Sequence, residues 1–366
     1  MKQKAHAWVA LRALKLIDDS NRKNANLFVE LISYYLSDVW EGAWLPDILI
    51  RDMSYGHISK MDSDDKFVPN ITSAPWRKVT YSELKKKTYG KRLCLENYLK
   101  DSKELRKPYW TTERSGHLPD RVIAINHSIM DMLKMGDFPI AFYLKKKKSK
   151  AYRSEDLSRQ TIKSLSLSPN FSARQIALTF FIVSHYVCDA HMPLHCDLRD
   201  MRARRAKEEG RERRLPRPLH PGIEAVWEES FPDKEDLTIH DYTPESIESV
   251  TSSMPRESLI EIDRADSPYA LSNRLPSNMP NEWDEMVNIC RISYAVSRKW
   301  IPQSFEEIQD LIGKEKCKAK ATPLKYDDIT RIIDEKVFKD VTNRIFHDAV
   351  ESVARIWYRA WNIFTK

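Results

Sequence analysis

The most informative stretch of the chain is SHYVCDAHMPLHC, residues 184–196. His185 and Asp189 lie four residues apart near the end of a predicted helix, so both side chains leave the same face. Pro193 breaks that helix and can turn His195 back towards the face. Imidazole and carboxylate suit a borderline-soft divalent ion such as zinc. The two oxygens of Asp189 allow it to bridge two ions. A His-x3-Asp pair alone is common on helix surfaces and at helix caps. Here it follows the apolar run from Ile176 to Val183, and polar groups that end a buried run need partners, which a metal cluster would supply.

The elements that must position these groups are helices. Apolar residues recur at helical spacing through Trp8, Leu11, Leu14 and Ile17, and again through Leu27, Leu31 and Tyr35. A third helix is expected from Pro119 to Met135, with Gly136 as its stop. The helix carrying His185 opens on a Ser172/Gln175 capping pattern. Another short helix is expected from Pro221 through Trp227, and a long one from Val337 to Phe364 with Trp357, Tyr358 and Trp361 as core residues. Strand-like alternation is nearly absent, and eight glycines in 366 residues are few for the tight turns of an α/β enzyme. The expectation is a single all-α, multi-helical domain over residues 1–366. Irregular insertions are expected near 145–168, 198–218 and 231–282. Five cysteines without repeating spacing suggest neither a disulfide framework nor a Cys-type zinc finger.

The core segment resembles that of the zinc-dependent phospholipase C and fungal single-strand nuclease superfamily, a helix ending in His-x3-Asp-x5-His. Other pieces fall in that family's order: HAWVALRAL with His6, WLPDI with Asp47, YGHISKM with His57, and GIEAVWEES with Glu224 and Glu228. The likeness covers roughly residues 6–60 and 172–230. It implies up to three zinc ions: one on Asp47, His57, His185 and Asp189; one on His195, Glu224 and Glu228; one on His6, the shared Asp189 and the Met1 α-amine. Glu224 stands where the family has His, which makes the second site more anionic and open to manganese; His220 is a substitute ligand to weigh there. The family's N-terminal Trp is missing here.

The implied activity is phosphodiester hydrolysis, phospholipase C-like, with single-strand nuclease activity as the alternative. Two ions about 3.5–4 Å apart can lower the pKa of a shared water and make it a nucleophile, with Asp47 orienting it. A phospholipid would need an apolar rim beside the metals, and a nucleic acid an aromatic stacking slot. A net charge of +7 suits either anionic substrate. The reading from another class is a non-catalytic helical scaffold with a degenerate metal site. His191 reads as structural, Cys188 and Cys196 as packing residues, and His127 as a partly buried histidine. The charged clusters at 145–148 and 202–214 read as solvated loops. Arg12 and Lys15 interrupt the N-terminal apolar run, so it reads as an amphipathic helix, and no apolar run reaches the roughly 18 residues of a membrane span. An intracellular chain is therefore expected, although the family is usually secreted.

Overall fold

A computed structural model describes residues 1–20, 24–52, 56–62, 95, 98–99, 109–110, 118–135, 173–200, 215–239, 242–252, 282–318 and 322–364. The fold is all-α. Its helices are α1 (Gln3–Asp19), α2 (Ala25–Ser33), α3 (Val39–Gly42), α4 (Leu118–Met135), α5 (Ala173–His191), α6 (Pro193–Cys196) and α7 (Leu219–Glu229). They continue as α8 (Lys234–Leu237), α9 (Pro244–Ser252), α10 (Glu282–Trp300), α11 (Phe305–Ile312), α12 (Tyr326–Ile332) and α13 (Glu335–Phe364). Two residues of β1 (Met61–Asp62) pair antiparallel with β2 (Tyr109–Trp110).

Two helices organise the rest. α5 is apolar nearly all round, from Ile176 through Val187, as a helix buried on every side must be. It packs against α1, α4, α10 and α13. α13 has 30 residues, about 45 Å of helix, and its Trp357 indole donates to the Phe180 carbonyl at 2.9 Å. Trp361 closes the next turn by donating to Asn24 O at 2.9 Å. These two indoles place large apolar surface in the core while satisfying their N–H groups. α1 lies against α13, and Trp8 of α1 packs on Phe231 and Phe346. The start of α1 has Lys2 at the capping position and no local side-chain cap. Glu228 of α7 supplies one from afar, accepting from Lys4 N at 3.0 Å and Ala5 N at 3.4 Å.

Three expectations are corrected. The stretch from 231 to 282 is not irregular throughout, because α8 and α9 lie in it. Their anchors Leu237 and Ile247 are buried, and Tyr242 donates to Asp18 of α1 at 2.7 Å. The stretch 198–218 starts too early as an insertion, because Leu198, Arg199 and Asp200 are buried scaffold. Arg199 clamps Asp197 and donates to Ile301 O at 2.7 Å, which ties this turn to the end of α10. α7 begins at Leu219, two residues before the expected start at Pro221, so His220 lies inside the helix. The insertion at 145–168, the charged cluster at 202–214, Ser172 and Cys94 lie outside the described residues. No described helix is long and apolar enough to cross a membrane.

Candidate metal centre

Asp189, in the last turn of α5, is buried and sits where five segments meet. Its Oδ2 accepts from His57 Nδ1 at 2.7 Å and lies 3.3 Å from His185 Nε2. Its Oδ1 accepts from the Met1 amine at 3.2 Å and lies 3.6 Å from both His6 Nε2 and His195 Nδ1. One carboxylate therefore faces four imidazoles, its two oxygens serving opposite sides.

Each neighbour is delivered by a distinct local device. His6 lies in the second turn of α1, and its ring stacks on His185 with centroids 3.9 Å apart. His185 donates through Nδ1 to Ala43 O at 2.7 Å, which leaves Nε2 with its lone pair facing Asp189 and Asp47. Asp47 comes from a π turn, Pro46–Ile50, closed by Arg51 N donating to Pro46 O at 2.8 Å. Asp47 Oδ1 is 3.6 Å from both His57 Nδ1 and His185 Nε2. His57 follows Gly56, where a Cβ would overlap the Asp52 carboxylate and displace it from His57. His57 Nε2 donates to Asp52 Oδ1 at 2.9 Å, and Tyr186 donates to the same oxygen at 3.0 Å. Arg121 pairs with Asp52 Oδ2 at 3.0 Å.

His195 is turned inward as expected. α5 ends at His191, Met192 is extended, and Pro193 opens α6. The His195 carbonyl accepts from Ser59 N at 3.2 Å, linking the His57 segment to α6. Across from it, Glu224 Oε1 accepts from the Met1 amine at 2.8 Å and lies 3.7 Å from His195 Nε2 and 3.3 Å from His220 Nε2.

Three donor groups can each hold a divalent cation: His6, His185 and Asp189; Asp47, His57 and His185; His195, His220 and Glu224. The polar atoms themselves fit that use. His6 Nδ1, Asp47 Oδ1, His195 Nδ1 and His220 Nε2 are buried without a hydrogen-bond partner, and all belong to these groups. The electrostatics agree. Burial works against the charge on Asp189, but the Met1 ammonium, His195 and His185 outweigh it and hold the carboxyl well below its usual range. Glu224 is likewise held low against burial by the Met1 ammonium and His220. Burial keeps His6 and His195 neutral, with pKa values well below the usual imidazole range. Ionised carboxylates and neutral imidazoles are the donor states a cation requires. The remaining positive charge sits on protons a cation would displace. Although burial opposes it, Glu224 and Asp189 raise the Met1 amine to about 11. Hydrogen bonds to Asp189 and Asp52 similarly raise His57 to about 9 despite its burial. Asp47 and Glu228 are raised by burial.

Eight of the nine residues singled out from sequence thus meet around Asp189 and Glu224. Glu228 does not: both its oxygens face backbone N–H groups of α1. His191 lies off the centre, accepting or donating at 3.0 Å with Ser352 Oγ, and His127 is exposed. Cys188 and Cys196 are buried free thiols. Asp52 and Asp200 hold the imidazoles of His57 and His220 from behind, and Tyr186 and Arg121 hold Asp52; no spacing in the sequence marks any of these four. No family model, no curated protein and no solved structure matches the chain.

Proposed function

We propose that the chain is a metal-dependent hydrolase of phosphodiester bonds, phospholipase C-like, with zinc as its principal ion. The observation that carries this reading is the convergence of three orphaned donor atoms, on Asp47, His195 and His220, with two carboxylates held ionised, Asp189 and Glu224. The order of the motifs along the chain, which resembles that of the zinc phospholipase C and single-strand nuclease superfamily, supports the same reaction. Each group pairs two imidazoles with one carboxylate, a donor set that suits zinc.

When bound, such ions neutralise phosphate oxygens and bring the pKa of water towards neutrality. The chain supplies the rest. Asp189 spaces the two halves of the centre, and Asp52 fixes His57 through Nε2 so that Nδ1 faces inward. Asp47 Oδ1, without a hydrogen-bond partner, is placed to orient an attacking water.

A phospholipid substrate is supported by the turn that carries Asp47. Its next three residues, Ile48, Leu49 and Ile50, are the largest run of exposed apolar side chains among the described residues, with Leu49 at 72%. Trp44 lies beside His6 and His185 with ring centroids 6.0 and 5.9 Å away, and Tyr186 lies beside His57 at 4.9 Å, so both aromatics are engaged with imidazoles of the centre.

The test is metal content of the protein purified without chelator, followed by hydrolysis of phospholipid vesicles, a short-chain soluble phosphodiester and single-stranded DNA. Two to three ions per chain with phospholipid turnover is the expected result. Cleavage of DNA alone would transfer the reading to the nuclease branch, and absence of stoichiometric metal after reconstitution would leave a non-catalytic scaffold. Leu49→Asp should lower vesicle hydrolysis by about 10-fold, the worth of one apolar side chain at an interface, while sparing the soluble substrate.

A further inference from the structure

We propose that Arg121 forms an anion subsite beside the metal centre, taking a phosphate carried on the lipid headgroup in addition to the phosphodiester that is cut. The subsite rests on the phospholipid reading above and names the kind of headgroup which that reading leaves open.

Arg121 lies in the first turn of α4, whose start is tied to the His57 segment by Leu118 N donating to Ile58 O at 3.2 Å. Its guanidinium is held at one end. Nε lies 3.0 Å from Asp52 Oδ2 and donates to Tyr186 Oη at 3.3 Å, and the guanidinium carbon stands 5.4 Å from the centre of the Tyr186 ring. Both partners are fixed in turn. Asp52 Oδ1 accepts from His57 Nε2 at 2.9 Å and from Tyr186 at 3.0 Å, and Tyr186 directly follows His185 on α5. One carboxylate thus separates the guanidinium from an imidazole of the centre.

The other end of the guanidinium is open. Neither Nη nitrogen hydrogen-bonds to a described residue, and the side chain is 35% exposed where His57 is 2% exposed. An arginine that serves only to close an ion pair turns a two-nitrogen edge to its carboxylate, as Arg174 does on Asp38 at 2.7 and 2.8 Å. Arg121 instead meets Asp52 through Nε and leaves both Nη groups uncommitted. That planar pair of donors matches two oxygens of a phosphate. The acid beside it, Asp120, is engaged elsewhere, accepting from Trp283 Nε1 of α10 at 3.1 Å.

The same segment indicates what carries the phosphate. The exposed apolar run Ile48, Leu49 and Ile50 leads from Asp47, in the centre, into Arg51 and Asp52. The anchor of Arg121 is therefore two residues beyond the surface offered to a bilayer, and a headgroup cut at the centre has the guanidinium next to it. The spacing, one imidazole and one carboxylate end to end, suits a phosphomonoester across a sugar-sized headgroup ring from the scissile diester.

The experiment uses zinc-loaded wild type and Arg121→Met, which keeps side-chain bulk and removes the donors. Calorimetry compares inositol 1,4-bisphosphate with inositol 1-phosphate. Hydrolysis compares phosphatidylinositol 4-phosphate with phosphatidylinositol, in vesicles matched in surface charge with phosphatidylserine. The wild type should prefer the doubly phosphorylated headgroup by about 10–100-fold in both readouts, the worth of charge-assisted hydrogen bonds. Arg121→Met should bring both ratios close to one. A purely structural role for Arg121 would lower both members of each pair alike and keep the ratios, which overturns the assignment. If circular dichroism shows that Arg121→Met does not fold, Arg121→Lys, which keeps the charge and loses the fork, should still lower both ratios. Equal binding and equal hydrolysis of the two headgroups by the wild type overturn the subsite alone. Turnover of single-stranded DNA without lipid overturns the headgroup and the phospholipid reading together, and a zinc-loaded wild type that turns over no phosphodiester overturns the functional reading beneath both.

Discussion

At the scale of single residues, Asp189 decides whether the centre exists. It is fully enclosed, and it is the one group that contacts Met1, His6, His57, His185 and His195 together. Its carboxylate is tolerated in the interior because cationic and hydrogen-bonding neighbours surround it. Asp189→Asn keeps the shape and removes the charge, leaving the Met1 ammonium and the His57 imidazolium without their shared anion. Metal content should collapse. The chelated protein should also lose about 3–5 kcal/mol in urea unfolding, the usual consequence of stranding a buried charge. A variant that unfolds with the wild type and still binds zinc would show that Asp189 is a bystander. This residue and its i+4 partner His185 are legible in sequence because helix periodicity alone puts them on one face. Asp52 and Asp200 are not legible in that way. Their partners are His57 and His220, five and twenty residues away in sequence, and no helical spacing connects them.

At the scale of elements, the sequence reveals helices whose buried face is apolar and conceals those whose buried face is not. α5 and α13 stand out by their runs of apolar residues. α10 shows no clean apolar stripe, because its inward face carries Glu285, Asn288 and Arg291. Glu285 is buried only because Arg355 and Arg359 of α13 reach it at 3.0 and 2.6 Å, a pairing no local pattern announces. α11 is announced by its spacing instead, since Ser304 and Glu307 form a capping box. The role of Glu228 was concealed for a related reason: α1 lacks a local cap, and the replacement arrives from α7, more than two hundred residues away. α7 therefore both carries the donor pair His220 and Glu224 and braces α1, and Gly222 is where the two duties meet. A Cβ there would stand 2.6 Å from Leu324 O and 2.8 Å from Leu324 N, contacts that only a backbone shift relieves. Gly222→Ala should destabilise by about 1–3 kcal/mol in urea unfolding and weaken metal binding at His220 and Glu224 more than at His185. Normal stability together with normal metal binding would mean that the 322–325 segment yields freely.

At the scale of the whole molecule, the buried histidines pull stability in opposite directions with pH, and metal should abolish one of the two slopes. Burial lowers His191 to about 3, helped by Arg355, and it holds His6 and His195 below the usual range. Between those values and about 6.5 the unfolded chain binds more protons than the folded one, so stability falls as pH falls through that window. His57 and His220 behave oppositely. Burial opposes their charge, but nearby carboxylates raise both to about 9, so their contribution is complete below about 6.5 and is lost as pH rises to 9. The chelated protein should therefore be most stable near neutral pH and weaken on both sides, each histidine adding at most about 1.4 kcal/mol per pH unit. With zinc bound, His57 and His220 have already surrendered the protons that face the ions, and the alkaline loss should vanish. His191→Asn separates the acid limb from the metal chemistry, because His191 meets Ser352 on α13 and none of the donor groups. It should flatten part of the loss between pH 6.5 and 4 in both chelated and zinc-loaded protein. Denaturant midpoints measured from pH 4 to 9, with and without zinc, read all of this in one series. An alkaline limb that persists with zinc bound would mean that His57, His220 or the Met1 amine, itself raised to about 11, keeps its proton and so holds no metal.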